Sequence, residues 1–136
     1  MTQDILLHLR TMDENLRDWE LYLRETPRRH FVADRKARHA LLHCALVSLQ
    51  SAIDVGNHWV SRLCPQRPES YRLIAAALEE RKAISPALAK SLKGLFSLRN
   101  VMIHDYPNLD LEQLYRHLKN GVAPLRKFLK LAKAKL

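Results

Sequence analysis

The sequence predicts an all-α protein, an up-and-down helical bundle of about five helices occupying residues 1–136 as one domain. Three observations carry this. Apolar residues recur at helical spacing along most of the chain, nothing alternates with period two over a useful length, and there are only three glycines among 136 residues. Ile5, Leu9, Met12, Leu16, Trp19 and Leu23 fall at alternating steps of four and three, the seam of an amphipathic first helix. The segment TPRRHFVAD interrupts it, with Pro27 as a natural stop. A second helix runs from about Arg35 to Leu63, and its middle, ALLHCALVSLQSAI, is apolar on most sides, as a helix with several neighbours should be. CPQRP closes it, and a third, shorter helix covers about Glu69 to Lys82. Ser85 and Pro86 then supply an N-cap and a first-turn proline for a fourth helix reaching roughly Ile103. After the turn DYPN, Asp110 and Gln113 stand at capping-box spacing. The last helix carries Leu111, Leu114, Leu118, Val122, Leu125 and Leu129, with Gly121 and Pro124 expected to bend or split it.

The charge balance is strongly basic. Lys and Arg number 23 against 14 Asp and Glu, a net charge of +9. Such an excess concentrates polyanions, of which nucleic acid is the commonest, although a basic surface without any ligand has the same composition. Cys44 and Cys64 are the two cysteines, far apart and outside any CxxC pair, which argues against a disulfide framework or a thiolate zinc site. The opening MTQDILLHLR lacks the apolar core of a secretory signal, and no apolar run approaches the roughly 20 residues of a membrane span. A cytoplasmic location with no membrane association is the expectation. His39 and His43 stand one helical turn apart, a spacing that can hold a metal, but no third ligand is near in sequence, and no metal or other cofactor is expected. The terminal KFLKLAKAKL fits the bundle's last helix with a basic edge better than a membrane-surface helix. No glycine-rich phosphate loop, nucleophile elbow or HExxH motif is present.

The fourth helix holds the most informative residue. At about 100° per residue, Leu88, Leu92, Leu95, Phe96, Met102 and Ile103 form one apolar stripe, and Arg99 falls near its middle. A guanidinium keeps its charge in a protein, so at such a place it needs a carboxylate, a set of carbonyls or a bound phosphate. An internal Arg–Asp pair, an arginine snorkelling out at the bundle's end, and an arginine in a cleft between two subunits all satisfy that need. Asn100 and His104 sit one turn apart on the neighbouring face. A fixed cation, an amide and an imidazole within six residues are a workable set for phosphodiester chemistry: the cation holds phosphate and offsets developing charge, and the imidazole moves protons near neutral pH. The second helix carries a polar strip of Asp54, Asn57 and His58, extended by Gln50, Ser51 and Ser61, with Gly56 allowing a close approach. Asp54 is the natural candidate to pair with Arg99; a strip that merely faces solvent is the alternative.

SLRNVMIHDY, residues 97–106, resembles the Arg-x4-His-x-Tyr motif of the HepT toxins, a branch of the HEPN superfamily, with Arg99, His104 and Tyr106 in its three defining positions. AIDVGNHWV (52–60) is similar to that family's second-helix signature, and PESYRLIAAALEERKAISPALAKSLKGLFSLRN to the stretch leading into the motif. The resemblance runs from about Ala37 onward. It implies a helical bundle that forms a homodimer, or a larger assembly of dimers, with two Arg-x4-His motifs facing a shared basic cleft. It implies a metal-independent endoribonuclease in which Arg99 binds the scissile phosphate and His104 acts as general acid or base, with Asn100, Asp54, Asn57 and His58 in support. The ribose 2′-OH would be the nucleophile, leaving a 2′,3′-cyclic phosphate. It further implies an MntA-type nucleotidyltransferase antitoxin as partner, inactivating the toxin by moving AMP onto Tyr106. The competing expectation is a non-catalytic HEPN partner that binds the nucleotidyltransferase or a nucleotide. The chain departs from the family in Pro107, which restricts the backbone of Tyr106 to extended geometry, and in the first helix and its Arg28-Arg29-His30 link, whose roles rest on charge alone.

Overall fold

The computed structural model describes residues 2–65 and 68–136, so the middle of the CPQRP break lies outside the described residues. Its helices are α1 (Thr2–Glu25), α2 (Arg28–Ala33), α3 (Arg35–Leu63), α4 (Tyr71–Glu80), α5 (Pro86–His104) and α6 (Leu111–Lys135), with a 3₁₀ turn at Tyr106–Asn108 before α6. No strand occurs among the described residues.

The seam residues of α1 act as expected: Met12, Leu16 and Trp19 are fully buried, and α1 lies along α3 and against α6. α3 is the central helix, touching every other one, and thirteen of its residues are buried. The Cys44 thiol is among them; burial pushes its pKa up to about 12, which leaves it inert. Asp34 caps α3 by accepting from the amides of Lys36 and Ala37, Ser85 caps α5 through the Leu88 amide, and Asp110 caps α6 through Glu112 and Gln113. α4 ends in a Schellman turn. Lys82 takes a left-handed φ of 59°, and the Ala83 amide reaches back to the Leu78 carbonyl.

Three expectations need correction. The segment after Pro27 is a sixth helix, α2, rather than a plain interruption. Proline is tolerated just before a first turn, and Phe31 anchors the helix by burying its ring 5.3 Å from that of Tyr115. α6 is not split at Gly121 or Pro124. The missing proline N–H deprives only the carbonyl of Asn120, an exposed residue that water can serve, and Gly121 is a contact point: a Cβ there would stand 2.9 Å from Leu95 Cδ2 and 3.1 Å from the Trp19 ring. Trp19 completes that joint by donating its Nε1–H to the Leu118 carbonyl at 3.1 Å. Finally, Ile103 is 47% exposed and leaves the apolar stripe of α5, while Leu88, Leu92, Leu95, Phe96 and Met102 stay in it. The KFLKLAKAKL segment is a bundle helix, burying Phe128, Leu129 and Ala132. No described helix is long and apolar enough to cross a membrane.

Candidate active site on helices α3 and α5

α5 crosses α3 in the opposite sense, because its Arg99 meets Gln50 while Tyr106, just beyond its end, meets Arg38 twelve residues earlier. The facing side of α3 therefore runs His39, His43, Gln50, Asp54, Asn57 and His58, steps of four, seven, four, three and one that keep polar groups on one side of an otherwise buried helix. Ser51 is buried and drops out of that strip. Gly56 admits a side chain rather than a backbone, since a Cβ there would lie 2.7 Å from Ile74 Cγ2 of α4.

Arg99 is half-buried within the stripe, as its position demanded, but its partners are not the expected ones. Nη2 donates to Gln50 Oε1 at 2.7 Å and Nη1 to Asn100 Oδ1 at 3.0 Å, both neutral amides. The guanidinium carbon lies 5.3 Å from the centroid of the Tyr71 ring on α4, within cation–π range. Nε is buried and has no hydrogen-bond partner among the described residues. Asp54 does not pair with Arg99. It accepts from Gln50 Nε2 at 3.1 Å and has His8 Nδ1 of α1 at 3.7 Å, so the carboxylate reaches the arginine only through the Gln50 amide. The reason is reach: Gln50 lies one turn nearer the Arg99 level of α3 than Asp54 does. Among the described residues no carboxylate pairs directly with Arg99.

His104 occupies the last turn of α5 and is exposed. It lies five positions after Arg99, which on a helix means about 140° of rotation and about 7.5 Å of rise. Asn100 is the link, sharing the His104 face while holding Arg99. Asn57 and His58 sit half-buried further along α3; burial and then the charge of Arg62 hold the His58 imidazole below its ordinary pKa.

Tyr106 is not extended as its place before Pro107 implied but opens the 3₁₀ turn after α5, with Pro107 as the second residue of that turn, where its fixed φ fits. The phenol oxygen accepts from Arg38 Nε at 3.0 Å, and the His39 ring lies edge-on with centroids 6.4 Å apart. Arg38 is a functional candidate that sequence reasoning missed. It is one basic residue among Arg35, Lys36 and Arg38, and spacing alone does not single it out. On the other side of α5 a groove of about 480 Å³ opens toward α6, lined by Gly94, Leu98, Val101, Gln113, His117 and Asn120; it holds neither Arg99 nor His104.

A family model described as Ribonuclease HepT-like matches residues 12–132, and the chain belongs to this HepT-like family. Among its relatives, the mRNA nuclease HepT of Shewanella oneidensis is 27% identical over 85 residues, 62% of this chain and 64% of that protein. The tRNA nuclease HepT of Aphanizomenon flos-aquae is 34% identical over 68 residues, 48% of this chain and 45% of that one. Each alignment thus spans less than two thirds of the relative. The fold is that of a tri-AMPylated Shewanella oneidensis HEPN toxin solved in complex with MNT antitoxin, with a TM-score of 0.86 at 21% identity over 98% of this chain and 99% of that one. The cytosolic protein YutE of Bacillus subtilis, of unknown function, shares it at a TM-score of 0.72 and 22% identity over 92% and 87%.

Proposed function

We propose that this chain is a metal-independent endoribonuclease, the toxin of a HepT/MntA-type pair, acting as a cytoplasmic homodimer. The observation that carries the reading is the environment of Arg99, a half-buried guanidinium whose side-chain hydrogen bonds, among the described residues, go only to neutral amides. Its full charge stays available to an external anion, and the net charge of +9 favours a polyanion such as RNA.

Arg99 would hold the scissile phosphate and stabilise charge gathering on its oxygens. The ribose 2′-OH attacks phosphorus, its proton passes to an imidazole, the bond to the 5′ oxygen breaks, and that oxygen takes a proton. The products are a 2′,3′-cyclic phosphate and a 5′-hydroxyl. His104 supplies the imidazole, with Asn100, Asp54, Asn57 and His58 lining the approach. Because Arg99 and His104 point about 140° apart on one helix, a phosphate between two facing α5 helices reaches both more readily than it could in one chain. Ile103, 47% exposed beside the motif, gives a second copy apolar surface to cover. An MntA-type nucleotidyltransferase would inactivate the toxin at Tyr106: the phenol oxygen attacks the α-phosphorus of ATP, pyrophosphate leaves, the phenolic proton is released, and an anionic phosphodiester remains.

The test is RNA incubated with purified protein in EDTA, beside Arg99→Ala and His104→Ala. Fragments ending in 2′,3′-cyclic phosphate are expected from the parent, with rates down about 100-fold or more in each variant. Mixing the two variants should restore part of the activity if the site spans two chains. Cleavage that persists unchanged in both variants refutes the site assignment, and a parent that does not cleave leaves the non-catalytic role.

A further inference from the structure

The geometry points to Arg38 as a phosphate-binding residue, a fixed fork that receives the phosphate built on Tyr106 and holds the modified side chain in place. This rests on the reading of Tyr106 as the AMP acceptor and adds the residue that retains the product.

Arg38 is fastened from behind. Its Nη1 donates to two main-chain carbonyls of α2, Phe31 O at 3.0 Å and Val32 O at 2.9 Å, and α2 is itself pinned by the buried Phe31. The opposite edge of a guanidinium, Nε–H and Nη2–H side by side, matches two oxygens of a phosphate or carboxylate. Here that edge meets a single oxygen: Nε donates to the Tyr106 hydroxyl at 3.0 Å, and among the described residues nothing accepts from Nη2. A two-pronged donor aimed at a one-oxygen acceptor leaves one prong over. When the phenol oxygen becomes an ester, the non-bridging oxygens lie one phosphorus atom further out, within reach of Nη2 as well as Nε. The pair then changes from a neutral-acceptor bond to a bidentate, charge-assisted one.

The surroundings agree in sign. His39 flanks Tyr106 with its ring edge-on, and Asp105, the nearest carboxylate in sequence, is turned to Asn108, whose Nδ2 donates to its Oδ1 at 2.6 Å. Arg38 pairs directly with no carboxylate among the described residues, so its charge is as uncommitted as that of Arg99. A phosphate held there stands beyond the last turn of α5, two residues past His104 in the chain.

The test places O-phosphotyrosine at position 106 by stop-codon suppression, which makes the result independent of any nucleotidyltransferase. Melting temperatures are compared at pH 8 for Tyr106 and phosphotyrosine chains carrying Arg38, Arg38→Lys or Arg38→Gln. The double-mutant cycle isolates the pair from any general effect of either change. In the Arg38 background phosphorylation should raise the melting temperature by on the order of 3 °C. The gain should shrink with Arg38→Lys, which keeps the charge but lacks the fork, and vanish with Arg38→Gln. An equal change in all three backgrounds overturns the inference; if Arg38→Gln does not fold, the Arg38 to Arg38→Lys comparison decides alone. RNA affinity that depends on Arg38 while the phosphotyrosine increment does not would reassign the fork to a strand phosphate and also overturn it. The underlying reading is tested separately by intact mass after exposure to the nucleotidyltransferase and ATP. Failure of modification there refutes the acceptor role of Tyr106 and leaves the Arg38 result standing.

Discussion

Two half-buried arginines of this bundle are held in opposite ways. Arg126 on α6 is closed into an ion-pair knot with α1: its Nε donates to Glu20 Oε1 at 2.6 Å and its Nη1 to Asp13 Oδ1 at 3.1 Å, and Lys133 and Arg17 approach the other Asp13 oxygen. Burial by itself would raise the Asp13 pKa, but the hydrogen bonds from Arg126 and Lys133 and the charges of Lys133 and Arg17 outweigh it and hold the carboxyl below its usual range. Arg99 on α5 donates, among the described residues, only to the Gln50 and Asn100 amide oxygens and faces the Tyr71 ring. A cation kept for structure is given counter-charges, which remove its attraction for anything else. A cation kept for a ligand is oriented by dipoles, which fix its direction and spare its charge. The +9 balance is thus less informative than where the unneutralised charges stand.

The sharpest way to break the contrast is to give Arg99 what Arg126 has. Gln50→Glu sets a carboxylate where the 2.7 Å amide contact now is, and RNA cleavage should fall by about tenfold or more as the phosphate loses its cation. Undiminished cleavage would mean that the charge need not be free. The reverse change, Arg126→Ala, removes a knot that ties α6 to α1. Chemical denaturation should show a loss of about 1–2 kcal/mol, with cleavage per folded molecule unchanged. A smaller contrast lies in acid. His58, near the Arg99 end, has a depressed pKa, so below 6.5 the unfolded chain takes the proton first and stability drains away as pH falls toward the folded value. Asp13 is also depressed, so its contribution is intact above 3.8 and is lost only as pH falls below that through its folded pKa. His58→Gln should flatten the first decline and Asp13→Asn the second, measured as denaturant midpoint against pH.

Periodicity and breakers made most of the fold legible. The bounds of α3 are those its apolar run and flanking prolines imply, and Ser85-Pro86 starts α5 as written. α2 escaped because six residues beginning Arg-Arg-His show no apolar seam; only Phe31 marks it, and one aromatic among basic residues does not separate a helix from a loop. The candidate site's residues stand out in the sequence, but their wiring does not. Arg99 in an apolar stripe announced a constrained cation, yet Gln50 rather than Asp54 reaches it, because helix phase orders the candidates only to within a turn and the sequence does not give the register of α3 against α5. Arg38 was hidden for the same reason, since its meaning comes from the return of the chain at Tyr106, 68 residues later.

The initial rate of RNA cleavage in EDTA, compared between Arg99→Met and Arg126→Met, tests the central claim most directly, since the two changes delete the same charge and keep the aliphatic packing. A rate about 100-fold or more below the parent for Arg99→Met, with Arg126→Met within about twofold of it, is the outcome the contrast requires. Cleavage retained by Arg99→Met, or lost equally by both, would contradict it.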